Sequence, residues 1–200
     1  MSVVDIAAAR VVRTVKVGAE PEGVTVSPDG RTIYVTTEED NEVDVLDAAR
    51  FEVIARPKVA PRPRAVAFTP DGGRAFVSAE QGAAVDVIDA RAHRHMARIA
   101  IPGTGAKPMG LAMARDGSRL FVSTGRGGSV ACIDVAQLRV VKTFERIGAR
   151  PWGIALSPDG ARLYTANGPS DDVSVVDART GDVLRRIPAG KSPWGVVVAP

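Results

Sequence analysis

The sequence predicts an all-β chain: a β-propeller of four-stranded antiparallel blades, about four of them complete and a fifth incomplete. Three observations predict it. The tetrapeptide "SPDG" at Ser27–Gly30 returns at Ser157–Gly160, with "TPDG" at Thr69–Gly72 and a worn copy, "ARDG", at Ala114–Gly117. The turn aspartates Asp29, Asp71, Asp116 and Asp159 are thus spaced by 42, 45 and 43 residues. A second marker, an Asp closing an apolar run, falls at Asp5, Asp47, Asp89, Asp134 and Asp177, with steps of 42, 42, 45 and 43. Two markers keep one period, and a repeat in the low forties belongs to propeller blades or to helical arrays. The apolar runs are short, rich in Val, Ile, Tyr and Phe, and broken by Gly, Pro, Asp and Asn, which excludes the helical alternative.

Each unit reads as strands a, b, c and d, counted outward from the channel. The last full unit is the clearest: "WGIALS" (Trp152–Ser157), the PDG turn, "RLYTAN" (Arg162–Asn167), a loop, "VSVVD" (Val173–Asp177), a tight turn, and "DVLRRIPA" (Asp182–Ala189). In the PDG turn Pro presets φ, Asp bonds its own backbone and Gly accepts positive φ, so the four copies are four a–b hairpins. The chain is expected to form a single domain, 1–200. Its units are 19–60, 61–105, 106–148 and 149–190, flanked by partial units 1–18 and 191–200. The first partial unit offers strand c (Val3–Asp5) and strand d (Val11–Val17), and the last offers strand a (Trp194–Ala199). No b strand exists for this fifth blade, so an open arc with loosely held ends is expected.

Composition limits the function. Charge is nearly balanced, 26 basic residues against 23 acidic, and the basic ones are scattered rather than clustered, which argues against a nucleic-acid partner. The single cysteine, Cys132, allows no internal disulfide. It takes the place of Val3, Val45, Val87 and Val175 in the other c strands, the position of a buried small hydrophobe. No apolar run approaches the ~20 residues of a membrane span.

Strand direction alternates, so the d–a and b–c loops share one face of the disc. The d–a loops repeat a Pro-x-Gly/Ala triplet whose middle residue varies: Glu22, Arg64, Met109, Trp152 and Trp194. A fixed frame around a variable residue presents different side chains at one geometric spot, at the channel mouth, where binding residues concentrate. These five are the candidate ligand-binding residues, joined by Arg126 in the b–c loop "STGRGG" (Ser123–Gly128). The bland alternatives stay open: the two Trp residues pack between blades, and Glu22 and Arg64 form an inter-loop ion pair. The acidic loop "TEEDNE" (Thr37–Glu42) lacks an Asp-x-Asp-x-Asp-Gly pattern and reads as a solvated turn rather than a calcium site. "HRH" (His93–His95) falls in a c–d turn on the opposite face and reads as an exposed edge. No catalytic constellation, metal site or cofactor motif is identified, and the strand-ending Asp47, Asp89, Asp134 and Asp177 read as turn caps.

The segments "SPDGRTIYVTTEEDNEVDVLD" and "SPDGARLYTANGPSDDVSVVD" resemble the bacterial and archaeal YVTN-type β-propeller repeat, whose second strand is written here "YVTT", "FVSA", "FVST" and "YTAN". The tail "ANGPSDDVSVVDARTGDVLRRIPAGKSPWGVVVAP" (Ala166–Pro200) is similar to the C-terminus of β-propeller proteins associated with pyrroloquinoline-quinone-dependent alcohol catabolism. That resemblance implies an exported, roughly seven-bladed, non-catalytic protein without a cofactor. It implies a small-molecule or protein partner on the propeller face and a link to a periplasmic quinoprotein dehydrogenase system. The head shows neither an export signal nor a b strand, so an N-terminally shortened member is favoured over a complete small ring. The periplasm rests on the resemblance alone, and a cytoplasmic location stays open. Two other classes remain beside this one: a structural or cell-surface repeat protein, and a metal-dependent lyase- or lactonase-type propeller enzyme.

Overall fold

A computed structural model describes residues 1–199. Eighteen strands follow in chain order: β1 (Ser2–Asp5), β2 (Arg10–Thr14), β3 (Pro21–Val26), β4 (Thr32–Thr37), β5 (Glu42–Asp47), β6 (Glu52–Ala55), β7 (Pro63–Phe68), β8 (Arg74–Ala79) and β9 (Ala84–Asp89). The second half continues with β10 (Arg94–Ala100), β11 (Leu111–Met113), β12 (Arg119–Ser123), β13 (Val130–Asp134), β14 (Arg139–Phe144), β15 (Pro151–Leu156), β16 (Arg162–Asn167), β17 (Asp172–Asp177) and β18 (Val183–Pro188). They form four four-stranded antiparallel sheets, β3–β6, β7–β10, β11–β14 and β15–β18, and one two-stranded hairpin, β1–β2. The inner strands β3, β7, β11 and β15 touch one another from sheet to sheet, so the sheets are blades set around a common axis.

The hairpins form where local chemistry dictates. Gly30, Gly72, Gly117 and Gly160 all take φ between 66° and 72°, which a side chain would strain. Asp29 accepts hydrogen bonds from the Ser27 hydroxyl and the Arg31 amide, which hold its carboxyl below the usual range. The c–d turns are capped as expected: Asp47 accepts the amides of Ala49 and Arg50, and Asp177 those of Arg179 and Thr180. Four residues after each strand-ending Asp stands a residue of positive φ, at Ala9, Phe51, His93, Leu138 and Gly181.

The core lies between blades. Tyr34, Val43 and Val45 of the first blade meet Val66, Phe68, Val77 and Ile88 of the second. Phe76, Val85 and Val87 of the second meet Leu120, Val122 and Ile133 of the third. Phe121, Cys132 and Phe144 of the third meet Ile154, Leu163 and Val176 of the fourth. Cys132 is buried, and that burial raises its thiol pKa, consistent with a packing role.

The ends depart from the expected strands. Strand d of the first partial unit runs over Arg10–Thr14, with Val15 still bonded to Met1, and does not reach Val17. The anticipated a strand at Trp194–Ala199 pairs with no neighbour among the described residues. Among the described residues no second strand lies beside it to complete a ladder. The β1–β2 hairpin packs Val3 over Ile33, Val35 and Leu46 of the first blade.

The two histidines are not an idle edge. The Tyr34 hydroxyl and His93 Nδ1 lie 2.9 Å apart across the first blade boundary, and His95 Nε2 lies 2.7 Å from the buried Asp86 carboxylate.

Candidate functional site

A β-bulge puts the variable residue of three d–a loops, Glu22, Arg64 and Trp152, where it stands. In the first blade Pro21 opposes Thr37 and Val24 opposes Val35, so Glu22 and Gly23 share one partner, Thr36. The same shift sets Arg64 and Ala65 against Ser78, and Trp152 and Gly153 against Ala166. A bulge bends the strand and re-aims its extra side chain. Here it turns the middle residue of the triplet out of the ladder and toward the axis.

Close packing of the inner strands explains the small third residue. A Cβ on Gly23 would stand 2.2 Å from the Arg64 carbonyl, and one on Gly110 would stand 2.7 Å from that of Trp152. Neither contact is tolerable without backbone movement.

Glu22, Arg64, Met109, Trp152 and Trp194 line one hollow of about 170 Å³, together with Ala65 and the triplet glycines Gly110, Gly153 and Gly195. Five positions far apart in sequence thus converge. Arg126 does not join them: it sits exposed on a single 3-10 turn, Gly125–Gly127.

The charged side of the hollow is a network. Arg64 Nη1 lies 2.7 Å from Glu22 and 2.6 Å from Glu38, while Nε donates to Glu80 at 2.8 Å and Nη2 also reaches Glu80. Arg62 contacts the same Glu38 and lies 3.5 Å from Glu80. Burial works against the Arg64 charge, but Glu80, Glu22 and Glu38 more than compensate, so its pKa is raised. Burial likewise opposes ionisation of Glu80, and the Arg64 hydrogen bond with the charges of Arg64, Arg62 and Lys107 prevails, lowering its pKa. The ion pair weighed for Glu22 and Arg64 is therefore present, and Arg64 is a saturated hub rather than a free cation. Glu38 belongs to the loop Thr37–Glu42 expected to be a solvated turn, but it is buried because Arg62 and Arg64 neutralise it, and Glu80 was not singled out in the sequence. The signal was there: each directly follows its second strand, in "YVTTE" and "FVSAE".

The aromatic side is a tilted pair of indoles. Trp152 and Trp194 have ring centroids 4.1 Å apart at 49°, and the Arg150 guanidinium lies 4.7 Å over Trp152. The Trp152 indole N–H is buried without a hydrogen-bond partner among the described residues. Trp194 remains 57% exposed on the unpaired tail, held by its carbonyl to the Gly153 amide at 3.0 Å. The two tryptophans pack on each other and both line the hollow. Among the described residues no group of three or more His, Cys, Asp or Glu side chains is arranged to hold a metal ion. Among the described residues no helix is long and apolar enough to cross a membrane.

Among solved structures, the chain is similar to Kuenenia stuttgartiensis hydrazine synthase, with a TM-score of 0.80 at 24% identity. The match covers 90% of this chain and 52% of that one, so the chain spans about half the length of its structural relative. At this identity the likeness shows the fold alone. No curated protein sequence matches the chain. Residues 25–199 match the YNCE-like beta-propeller family, covering every complete blade but the first few residues of the first. With its bulged inner strands, repeated hairpins and blade-to-blade cores, the chain belongs to the YNCE-like β-propeller family.

Proposed function

We propose that this propeller is a non-catalytic binding protein that takes its ligand at the channel mouth. One observation carries the reading: one variable position from each of five repeats, on an otherwise constant frame, converges on a single hollow. Scaffolds that vary one spot while holding its surroundings fixed are built for recognition. The proposed setting is the periplasm, in support of quinoprotein alcohol oxidation. The similarity of Ala166–Pro200 to proteins of pyrroloquinoline-quinone-dependent catabolism supports that setting.

Two measurements test the proposal. Deleting the gene should impair growth on alcohols oxidised by quinoprotein dehydrogenases and spare growth on a sugar. Equal growth on both overturns the metabolic assignment. Elemental analysis of purified protein should find no stoichiometric transition metal. Finding one replaces the binding reading with the lyase- or lactonase-type alternative.

A further inference from the structure

The mouth hollow has a chemical polarity, and that polarity selects a ligand class. One wall is apolar, made by Trp152, Trp194, Met109 and Ala65. The other is the Glu22–Arg64 pair. Behind it three carboxylates, Glu22, Glu38 and Glu80, share two guanidiniums, Arg62 and Arg64. One negative charge is left over in this directly contacting set. An entering anion would meet the carboxylates and an arginine whose Nε, Nη1 and Nη2 are all engaged. An entering cation meets Glu22 at the hollow's wall, with Lys107 acting on Glu80 and Arg150 lying over Trp152.

Glu22 is the accessible member. Its side chain is 36% exposed, against 5% for Glu38 and 11% for Glu80. Its Oε1 lies 2.7 Å from Arg64 Nη1. The indoles add to the preference, because an aromatic face attracts a cation by its quadrupole. Arg150 already rests on Trp152, and the exposed Trp194 offers further aromatic surface. At about 170 Å³ the hollow is smaller than the ~300–1,000 Å³ of drug-sized sites, so the ligand is small.

We propose that the hollow binds a small organic cation, an amine or quaternary ammonium on a short apolar or aromatic body. The ammonium pairs with Glu22, and the body lies against Trp194 and Met109. This assignment rests on the mouth being the ligand face and names the chemistry recognised there.

The chain contains only two tryptophans and both line the hollow, so tryptophan fluorescence, excited where tyrosine does not absorb, reports this site. The probes are phenethylamine, its neutral isostere 2-phenylethanol, and phenylacetate. Phenethylamine should give a saturable change, with 2-phenylethanol weaker by about tenfold and phenylacetate weaker still. Glu22→Gln should bring phenethylamine down to the level of the alcohol. Glu39→Gln, an exposed carboxylate outside the hollow, should leave its affinity unchanged. If the alcohol or the acid binds as tightly as the amine, or both variants weaken it equally, the cation assignment falls while the mouth stands as a ligand site. If no probe changes the fluorescence of protein shown folded by circular dichroism, the mouth is not a small-molecule site and both proposals fall.

Discussion

The hydroxyl of Thr36 donates to the carbonyl of Arg64 at 3.0 Å, tying the second strand of one blade to the inner strand of the next. The same oxygen accepts the Gly23 amide at 2.8 Å, so it also satisfies the N–H that the bulge leaves without a ladder partner. Ser78 repeats the relay between Ala65 and Met109, and Ser123 between Gly110 and Trp152. In the fourth blade the position is Ala166, and the Gly153 amide bonds the Trp194 carbonyl directly.

Removing one relay should therefore be costly. Ser78 is fully buried, and Ser78→Ala strands the Ala65 amide and the Met109 carbonyl together. The expected loss is about 1–3 kcal/mol, the cost of unsatisfied buried polar groups, read as a lower urea midpoint with unchanged slope. A midpoint within error of the parent would show that these groups find other partners.

The orphaned indole gives the opposite sign. Trp152→Phe keeps most of the ring against Trp194 and removes a buried N–H that has no partner. Relief of about 1 kcal/mol or more offsets the lost ring area, so stability should hold or rise. A drop of ~3 kcal/mol or more, the range of a large-to-small core change, would mean that the indole is mainly a packing element.

These relationships divide what the sequence could disclose from what it could not. The PDG hairpins and Asp-capped turns are local, since a few adjacent residues contain the whole cause, and they were legible. The five mouth residues were legible because a shared triplet marked them. The relay was not, because Thr36, Ser78 and Ser123 sit inside β strands where Thr and Ser read as ordinary strand texture. The role of Arg64 was only half legible, since its partners Glu38 and Glu80 stand just beyond the second strands of two blades. The tail at Trp194–Ala199 was misread as a strand, because its apolar pattern says nothing about whether a pairing partner exists.

Stability should depend on pH through His93. Burial lowers its pKa below 6.5, with Asp89 opposing in part, and Tyr34 is held un-ionised by burial with its hydroxyl on Nδ1. The unfolded chain thus takes up the proton first as pH falls through 6.5, and this contribution is full above that value and lost below it. His93→Phe places at this turn the residue type that Phe51 supplies in the preceding blade. The variant should be less stable at pH 8 by roughly 1–3 kcal/mol, because the Tyr34 hydroxyl loses its partner. The gap should narrow as pH drops below 6.5. The surface turn aspartates, with lowered pKa values, add a separate loss only below 3.8 that both proteins share. A gap that stays constant across the range would remove His93 from the account.

The ends of the arc should drive association. Val24 and Val26 are 60% and 53% exposed, while Val66 and Phe68, at the same repeat positions, are each 8% exposed against the preceding blade. At the other end Tyr164 and Val173 are partly exposed where Tyr34 and Val43 are fully buried, and Leu184 is exposed beside them. Repetition makes these two surfaces complementary, because the face of Val24 is the kind that packs on the face of Tyr164 in every internal interface. The contact is heterologous, head to tail, and such contacts propagate unless the rotation closes a ring. Both ends also carry exposed arginines, Arg10 and Arg185, whose repulsion salt screens. Sedimentation velocity of the 200-residue chain should therefore show concentration-dependent oligomers that grow with added salt. Val24→Glu should shift the distribution toward monomer while changing the melting temperature little, since the side chain is already exposed. A parent chain that sediments as a monomer at every concentration and salt would mean that the exposed valines are covered in solution, with the hairpin β1–β2 or the tail closing over them.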